Sequence, residues 1–307
     1  MIRSINSPFR YAGGKFYARR LILEHIPNHT RYIEPFAGGA SIFFAKPKAN
    51  RNILNDIDPE LIGVYRAIKD RPDELLTFLK KKSEEISRIP NHLTNGVEAG
   101  EPLPATKELH TFFKSKYIPV NEIERAGRWF YLNRTSYSGI MNSQNMYWGY
   151  GDKFSMQPKN WEANIRRTSE KLQSVVLSNV DFEEVIDTAP DGTFLFVDPP
   201  YYGADQNKFY QHFFSPDDHY RLERCLFRNH PRLSIFLTYD NVQEIRDLYD
   251  WMVEFHDKEW NYCIQRTDDQ RNGTIRKGER YKGKELFVLN YKTEKIMSPN
   301  MPLNFAY

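Results

Sequence analysis

The stretch from Arg31 to Asp56 constrains the fold more than any other part of the chain. Arg31 to Glu34 reads as a short strand, Pro35-Phe36-Ala37-Gly38-Gly39 as a turn, and Ala40 to Ala45 as the start of a helix. Arg51 to Asn55 then reads as a second strand, ending at Asp56. Strand, glycine turn, helix and returning strand open a doubly wound α/β sheet, because parallel neighbours need a crossover connection. Such sheets place ligands at the carboxyl ends of their strands, where Gly38 and Asp56 fall.

Gly38 and Gly39 would let the backbone approach a ligand closely, although a tight strand–helix connection accounts for them equally well. Asp56 adds weight, since a carboxylate at the end of the second strand can accept both hydroxyls of a ribose. There is no G-x-G-x-x-G run, so a nucleoside-type cofactor is expected before a dinucleotide. There is no phosphate-loop lysine either.

A second signal is Asp198-Pro199-Pro200-Tyr201, at the end of the apolar strand Thr193 to Val197. Two prolines fix the backbone and remove two N–H donors. A carboxylate, rigid carbonyls and an aromatic ring remain, which suits a planar amine donor beneath a stacked base. A proline-stiffened turn with a capping Asp is the alternative, and the location at the carboxyl end of the strand favours the functional reading. A third signal, Pro8-Phe9-Arg10-Tyr11-Ala12-Gly13-Gly14-Lys15, is an aromatic, glycine-rich turn with little meaning alone.

Further strands are expected at Val175 to Leu177, Leu233 to Tyr239 and Glu285 to Tyr291. Helical periodicity runs from Leu61 to about Ser87, near Leu109, and from Ala126 to Leu132. Sheet elements thus occupy both ends of the chain. Residues 1–65 and 169–307 are expected to form a cofactor-binding catalytic domain, and 66–168 an inserted, mostly helical lobe. Aromatic residues reach 15%, and most should serve the core. Cys225 and Cys263 offer neither a disulfide framework nor zinc spacing, so no metal is expected. With no apolar run of membrane-spanning length and no signal core, a cytoplasmic protein is expected. Net charge is only +3, but from Arg271 to Lys284 six Lys and Arg face one acid, Glu279. That segment suits phosphate contact, and equally a solvated loop.

Together the three signals resemble the Dam-like α group of DNA N6-adenine methyltransferases, over nearly the whole chain and in the same motif order. Arg10 to Lys15 is similar to the group's amino-terminal cofactor motif, Glu34 to Gly39 to its glycine turn, and Asn55-Asp56-Ile57-Asp58 to its ribose-binding acid. Asp198 to Tyr201 matches its catalytic tetrapeptide. Leu132 to Tyr137 resembles a segment of its target-recognition lobe, and Lys284-Glu285-Leu286-Phe287 its closing motif.

The resemblance implies a Rossmann-like fold, S-adenosylmethionine as cofactor, and methyl transfer to the N6 amine of a flipped-out adenine in double-stranded DNA. By it, Asp198, Pro199, Pro200 and Tyr201 are catalytic. Tyr11, Lys15, Phe36, Gly38, Asp56, Asp181, Phe182 and Asp198 surround the cofactor. Asn133, Arg134, Tyr137 and Asn142, with Arg276, Lys277 and Arg280 of the basic segment, are expected to meet DNA. GATC-reading members carry an Arg where Asn142 stands, and their Phe-Asn-Val-Pro stretch is replaced here by Tyr147-Trp148-Gly149-Tyr150-Gly151, so no target sequence follows. A monomer of prokaryotic or phage origin is expected, either with a cognate restriction endonuclease or as an orphan methylase. Two rival readings are an S-adenosylmethionine enzyme acting on RNA or protein amides and a non-catalytic nucleic-acid-binding protein. Asp rather than Asn at 198 argues against the first, and the full cofactor constellation against the second.

Overall fold

The computed structural model of the 307-residue chain describes residues 4–11, 13–87, 105–142, 144, 146–151, 156–203, 213–261 and 282–293. Seven strands form one sheet: β1 (Arg31–Glu34), β2 (Arg51–Asn55), β3 (Val175–Ser178), β4 (Phe194–Val197), β5 (Ser234–Asp240), β6 (Glu254–Asn261) and β7 (Lys282–Leu289). Their order is β3-β2-β1-β4-β5-β7-β6. The first five run parallel, and β7 lies antiparallel between β5 and β6. The chain winds outward from β1 through β2 to β3, then returns to the other side of β1 as β4. This reversal is the switch point at which open α/β sheets leave a crevice.

All four residues of β4 are buried, as befits a parallel strand covered on both faces. Phe194 and Phe196 join one apolar cluster, and Leu195 and Val197 the other, following the two-residue alternation of a strand. The first cluster packs α1 (Arg19–Leu23), α2 (Ser41–Ala45) and α3 (Pro59–Asp70) against the sheet. It continues into α4 (Pro72–Ser87), α5 (Lys107–Ser115), α6 (Glu122–Thr135) and α7 (Trp161–Leu172). The second cluster holds α8 (Phe182–Asp187), α9 (Pro216–Asn229) and α10 (Gln243–Leu248). The fold is mixed α/β of Rossmann-like type, a central sheet flanked by helices with an inserted helical lobe.

The expected single helix from Leu61 to Ser87 is two helices. Pro72 has no N–H to continue α3 and drives Arg71 out of helical geometry, to φ −137°. α3 starts early because Asp58 caps it, accepting from the Glu60 and Leu61 N–H groups, with Pro59 at its first position. α3 and α7 run across residues 66 and 168, so the lobe shares its core with the sheet. Phe9 wedges between α3 and α6, its ring centre 4.7 Å from that of Tyr65 and 4.9 Å from that of Trp129. Among the described residues, no helix is long and apolar enough to cross a membrane, and no cluster of His, Cys, Asp or Glu could hold a metal ion.

Candidate active site

The turns that leave the parallel strands converge at the carboxyl-terminal ends of those strands. After β1, Gly38 takes the left-handed conformation at φ +47°, which favours glycine. Its N–H donates to Asp56 Oδ2 at 2.8 Å, and the Asp58 N–H donates to Asp56 Oδ1 at 3.0 Å. The Asp56 carboxylate is thus aimed by two backbone donors. A Cβ on Gly38 would lie 2.8 Å from Tyr11 Cε1, so the glycine also admits the Tyr11 ring. The Tyr65 hydroxyl donates to the Gly38 carbonyl at 2.9 Å, and Ser7 Oγ donates to the Gly39 carbonyl at 2.5 Å. Asn55 staples the neighbouring turns: its amide donates to the Pro35 and Val180 carbonyls and accepts from the Val180 N–H.

After β3, Asp181 caps α8 through the Glu183 N–H at 2.9 Å and also accepts from Arg221 at 3.1 Å. Phe182 lies 5.4 Å from Phe36 and 5.8 Å from Phe214, and Phe36 and Phe214 meet edge to face at 5.7 Å. These three rings make an aromatic wall beside the β1 turn. Phe214 was not read from the sequence; it lies just before Ser215, the N-cap that starts α9 and fixes where the ring lands.

Asp198 leaves β4 with its side chain mostly covered. Lys15 Nζ sits 2.6 Å from Asp198 Oδ1, and the Thr238 hydroxyl donates to the same oxygen at 2.7 Å. Lys15 is itself buried, donates to the Gly13 carbonyl at 3.0 Å, lies 4.8 Å from the centre of the Tyr201 ring, and stands 4.0 Å from Glu285 Oε2. Burial alone would lower the Lys15 ammonium, but Asp198 and Glu285 outweigh it and raise the group above its ordinary 10.5. The Tyr201 ring stacks on Tyr239 at 5.9 Å. Beyond it, the Tyr202 and Gly203 N–H groups donate to the Asp240 carboxylate at 3.0 and 2.8 Å. Thr238, Tyr239 and Asp240 were not read as site residues from the sequence, and Glu285 was read only as part of the closing motif and a late strand. The signal for the first three was positional, since the strand Leu233 to Tyr239 ends on the side of the sheet where Asp198 leaves β4.

Under the β1 turn, Glu34 accepts from the Tyr32 hydroxyl at 2.6 Å and the Phe43 N–H at 2.8 Å, both on Oε1. Burial raises its carboxyl to about 8, which leaves it largely protonated at neutral pH. Cys225 is buried in α9, and burial pushes its thiol up to about 12, far from nucleophilic use.

The lobe residues separate into two kinds. Asn133 is fully buried, accepts from the Arg10 N–H at 3.0 Å and donates to the Arg10 carbonyl at 2.7 Å. Arg134 is buried too, its guanidinium donating to the Pro8 carbonyl at 3.4 Å, and burial lowers it to about 9. Both side chains face the amino-terminal segment rather than the surface. Tyr137, in contrast, is exposed, on a turn held by backbone pairing: its N–H donates to the Tyr147 carbonyl and the Gly149 N–H to the Thr135 carbonyl. Asn142 is half-buried and its side chain accepts from the Gln144 N–H at 3.0 Å. Lys282 and Lys284 belong to β7; Arg276, Lys277 and Arg280 lie outside the described residues.

Residues 11–264 match the family of D12 class N6 adenine-specific DNA methyltransferases, and the chain belongs to it. It is 28% identical to a type II methyltransferase of Lactococcus lactis subsp. cremoris, over 92% of this chain and 95% of that protein. It is 27% identical to a type II methyltransferase of Methanocaldococcus jannaschii, covering 79% and 88% of the two chains. The DNA adenine methylase of Escherichia coli K12 is 26% identical, over 62% of this chain and 63% of its own. The protein is accordingly a methyltransferase.

Proposed function

We propose that this chain is a site-specific DNA adenine-N6 methyltransferase that uses S-adenosylmethionine. The observation that carries the reading is the placement of Lys15. An N–H donor is already held against Asp198 Oδ1 and over the face of Tyr201, in the way an adenine amine would have to be held.

The residues present fit the cofactor. The Asp56 carboxylate, fixed by the Gly38 and Asp58 N–H groups, accepts the ribose hydroxyls. Phe36 and Phe182 offer faces and edges to a flat base, with Asp181 at their rim. Tyr11, Lys15 and Gly38 close the other side. When bound, S-adenosylmethionine supplies an electrophilic methyl on a positively charged sulfur. Asp198 and a carbonyl of the Asp198-Pro199 segment accept the two N6 hydrogens and aim the nitrogen lone pair. Pro199 and Pro200 keep that acceptor set rigid. Tyr201 stacks on the target ring, worth roughly 1–3 kcal/mol against a flipping cost of about a few kcal/mol. Rate enhancement then comes from alignment and from the Asp198 charge beside the nitrogen as it turns positive.

Residues 1–65 and 169–307 carry this chemistry, and residues 66–168 choose the DNA sequence. Tyr137 and Asn142 are the contacts made by the lobe turn. Asn133 and Arg134 act on DNA through the segment they hold. Arg276, Lys277 and Arg280 contact phosphates. The test is transfer of tritiated methyl to duplex DNA, followed by digestion to nucleosides. Label is expected in N6-methyldeoxyadenosine alone. Label in a cytosine derivative, or acceptance by RNA or peptide but not DNA, overturns the reading.

A further inference from the structure

We infer that Arg221 is a positioning and specificity residue for the cofactor: it holds one oxygen of the Asp181 carboxylate, so that the other is kept for the 6-amino group of the cofactor's adenine. The inference deepens the proposed function and rests on its placement of the cofactor.

Arg221 follows Asp218 by one helical turn on α9, so the two share a face. Asp218 is itself fixed: its Oδ2 accepts from the Ser215 N–H at 2.8 Å and the Ser215 hydroxyl at 2.7 Å, in the capping box that starts α9. Arg221 donates from Nη1 to Asp218 Oδ1 at 2.6 Å, from Nε to Glu183 Oε1 at 2.8 Å and from Nη2 to Asp181 Oδ1 at 3.1 Å. Its guanidinium carbon also lies 4.9 Å from the centre of the Phe182 ring. A planar fork can span three acceptors in this way, and a lysine ammonium on its flexible stem cannot match it.

These bonds are not needed to join α8 to α9. Arg228 already donates to Glu183 Oε2 at 2.8 Å and to Asp187 Oδ2 at 2.6 Å, and Asn229 donates to Asp187 Oδ1 at 2.7 Å. Nor is Arg221 needed for the cap of α8, which uses the Glu183 N–H on Asp181 Oδ1. What Arg221 adds is a second donor on that same oxygen. With one donor a carboxylate can still turn about its Cβ–Cγ bond, whereas two donors from different elements fix its plane. Among the described residues no donor reaches Asp181 Oδ2, and the side chain is partly exposed, next to Phe182 of the aromatic wall. Oδ2 is thus an aimed acceptor, and the 6-amino group is the donor that an adenine on that wall offers. Such an acceptor disfavours a purine lacking the amine, since its water is lost and nothing replaces it.

The experiment is calorimetric titration of the full chain with S-adenosylhomocysteine, the demethylated cofactor, and with an analogue that has hydrogen in place of the 6-amino group. The wild type should bind the amine-bearing ligand about tenfold or more tightly. Asp181→Asn keeps an oxygen for the cap but puts a donor where Oδ2 stood, and should abolish the preference. Arg221→Gln should cut the preference about threefold or more, although Asp181 is intact. In the Asp181→Asn background, Arg221→Gln should leave the ratio where it is. Arg221→Lys, which keeps the charge but not the fork, should lower the ratio in the same direction, and it serves if the Gln variant does not fold. An Arg221 that only supports the fold would weaken both ligands equally, and that result overturns the inference. So does an Arg221→Gln effect of the same size with and without Asp181, or a wild type that binds the two ligands equally. A wild-type chain that binds neither ligand overturns the cofactor reading, and this inference falls with it. Binding of S-adenosylhomocysteine by the wild type with any of the first three results overturns this inference alone.

Discussion

The end of β4 and the turn after α6 hold their tyrosines in opposite ways. Tyr201 stacks on the fully buried Tyr239, beside the ion pair of Lys15 with Asp198. Tyr137 and Tyr147 are 48% and 62% exposed, on a turn held by backbone pairing and by the Lys114 ammonium, which donates to the Met146 carbonyl at 2.7 Å. The first arrangement is preorganised: moving any member strands another. The second can change its side chains without disturbing what lies beneath. On the proposed function, methyl transfer belongs to the first region and the choice of sequence to the second.

That contrast can be broken by substitution. Asp198→Ala should give the largest effect, a loss of single-turnover rate of about 10²–10³ or more, with DNA binding changed only a few-fold. A nearly active variant would place the chemistry elsewhere. The variant also leaves Lys15 with Glu285 as its remaining carboxylate neighbour, so its stability should be measured alongside.

Glu34 tests the buried region through stability. Its carboxyl sits near 8 in the folded chain and near 4.5 when unfolded. The unfolded chain therefore releases a proton that the folded chain keeps, and stability falls as pH rises from about 4.5 to about 8. Glu34→Gln retains an acceptor for Tyr32 and Phe43 but has no proton to lose. Urea unfolding should show the variant gaining a few kcal/mol on the wild type between pH 5 and pH 8. A constant difference would mean that Glu34 is ionised throughout.

Asp56→Ala should weaken S-adenosylmethionine about tenfold to a hundredfold. It removes the ribose acceptor and strips the Gly38 and Asp58 N–H groups of their partner, at about 1–3 kcal/mol. Unchanged affinity in calorimetry would remove Asp56 from that role. Tyr137→Ala should give the smallest effect. DNA affinity is expected to drop a few-fold to tenfold, with cofactor affinity and thermal stability unchanged. A destabilised variant would show that the turn is part of the core.

The buried region was the more legible one. β1, β2 and β4 stand almost residue for residue where the sequence put them, because short apolar runs beside Gly, Pro and Asp leave few alternatives. β6 escaped because Glu254–Asn261 is a polar strand at the sheet edge, with one fewer ladder to signal it. Lys15 and Asp198 were both named, but their contact was not, since it joins distant parts of the chain. Asn133 and Arg134 were named for DNA from their place in a lobe motif. Their burial depends on Gly139, where a Cβ would stand 2.3 Å from the Arg10 carbonyl oxygen. Approach of that kind between segments distant in sequence leaves no periodicity to read.

The division of labour itself is tested most directly by exchanging the lobe. Residues 133–161 would be replaced by the corresponding segment of the Escherichia coli DNA adenine methylase, and the methylated positions mapped across the genome of an expressing host. The account predicts methylation of the same atom, adenine N6, at the sequence the donor enzyme marks, with cofactor affinity unchanged. A chimera that folds, binds cofactor and still methylates the original sequence would contradict it.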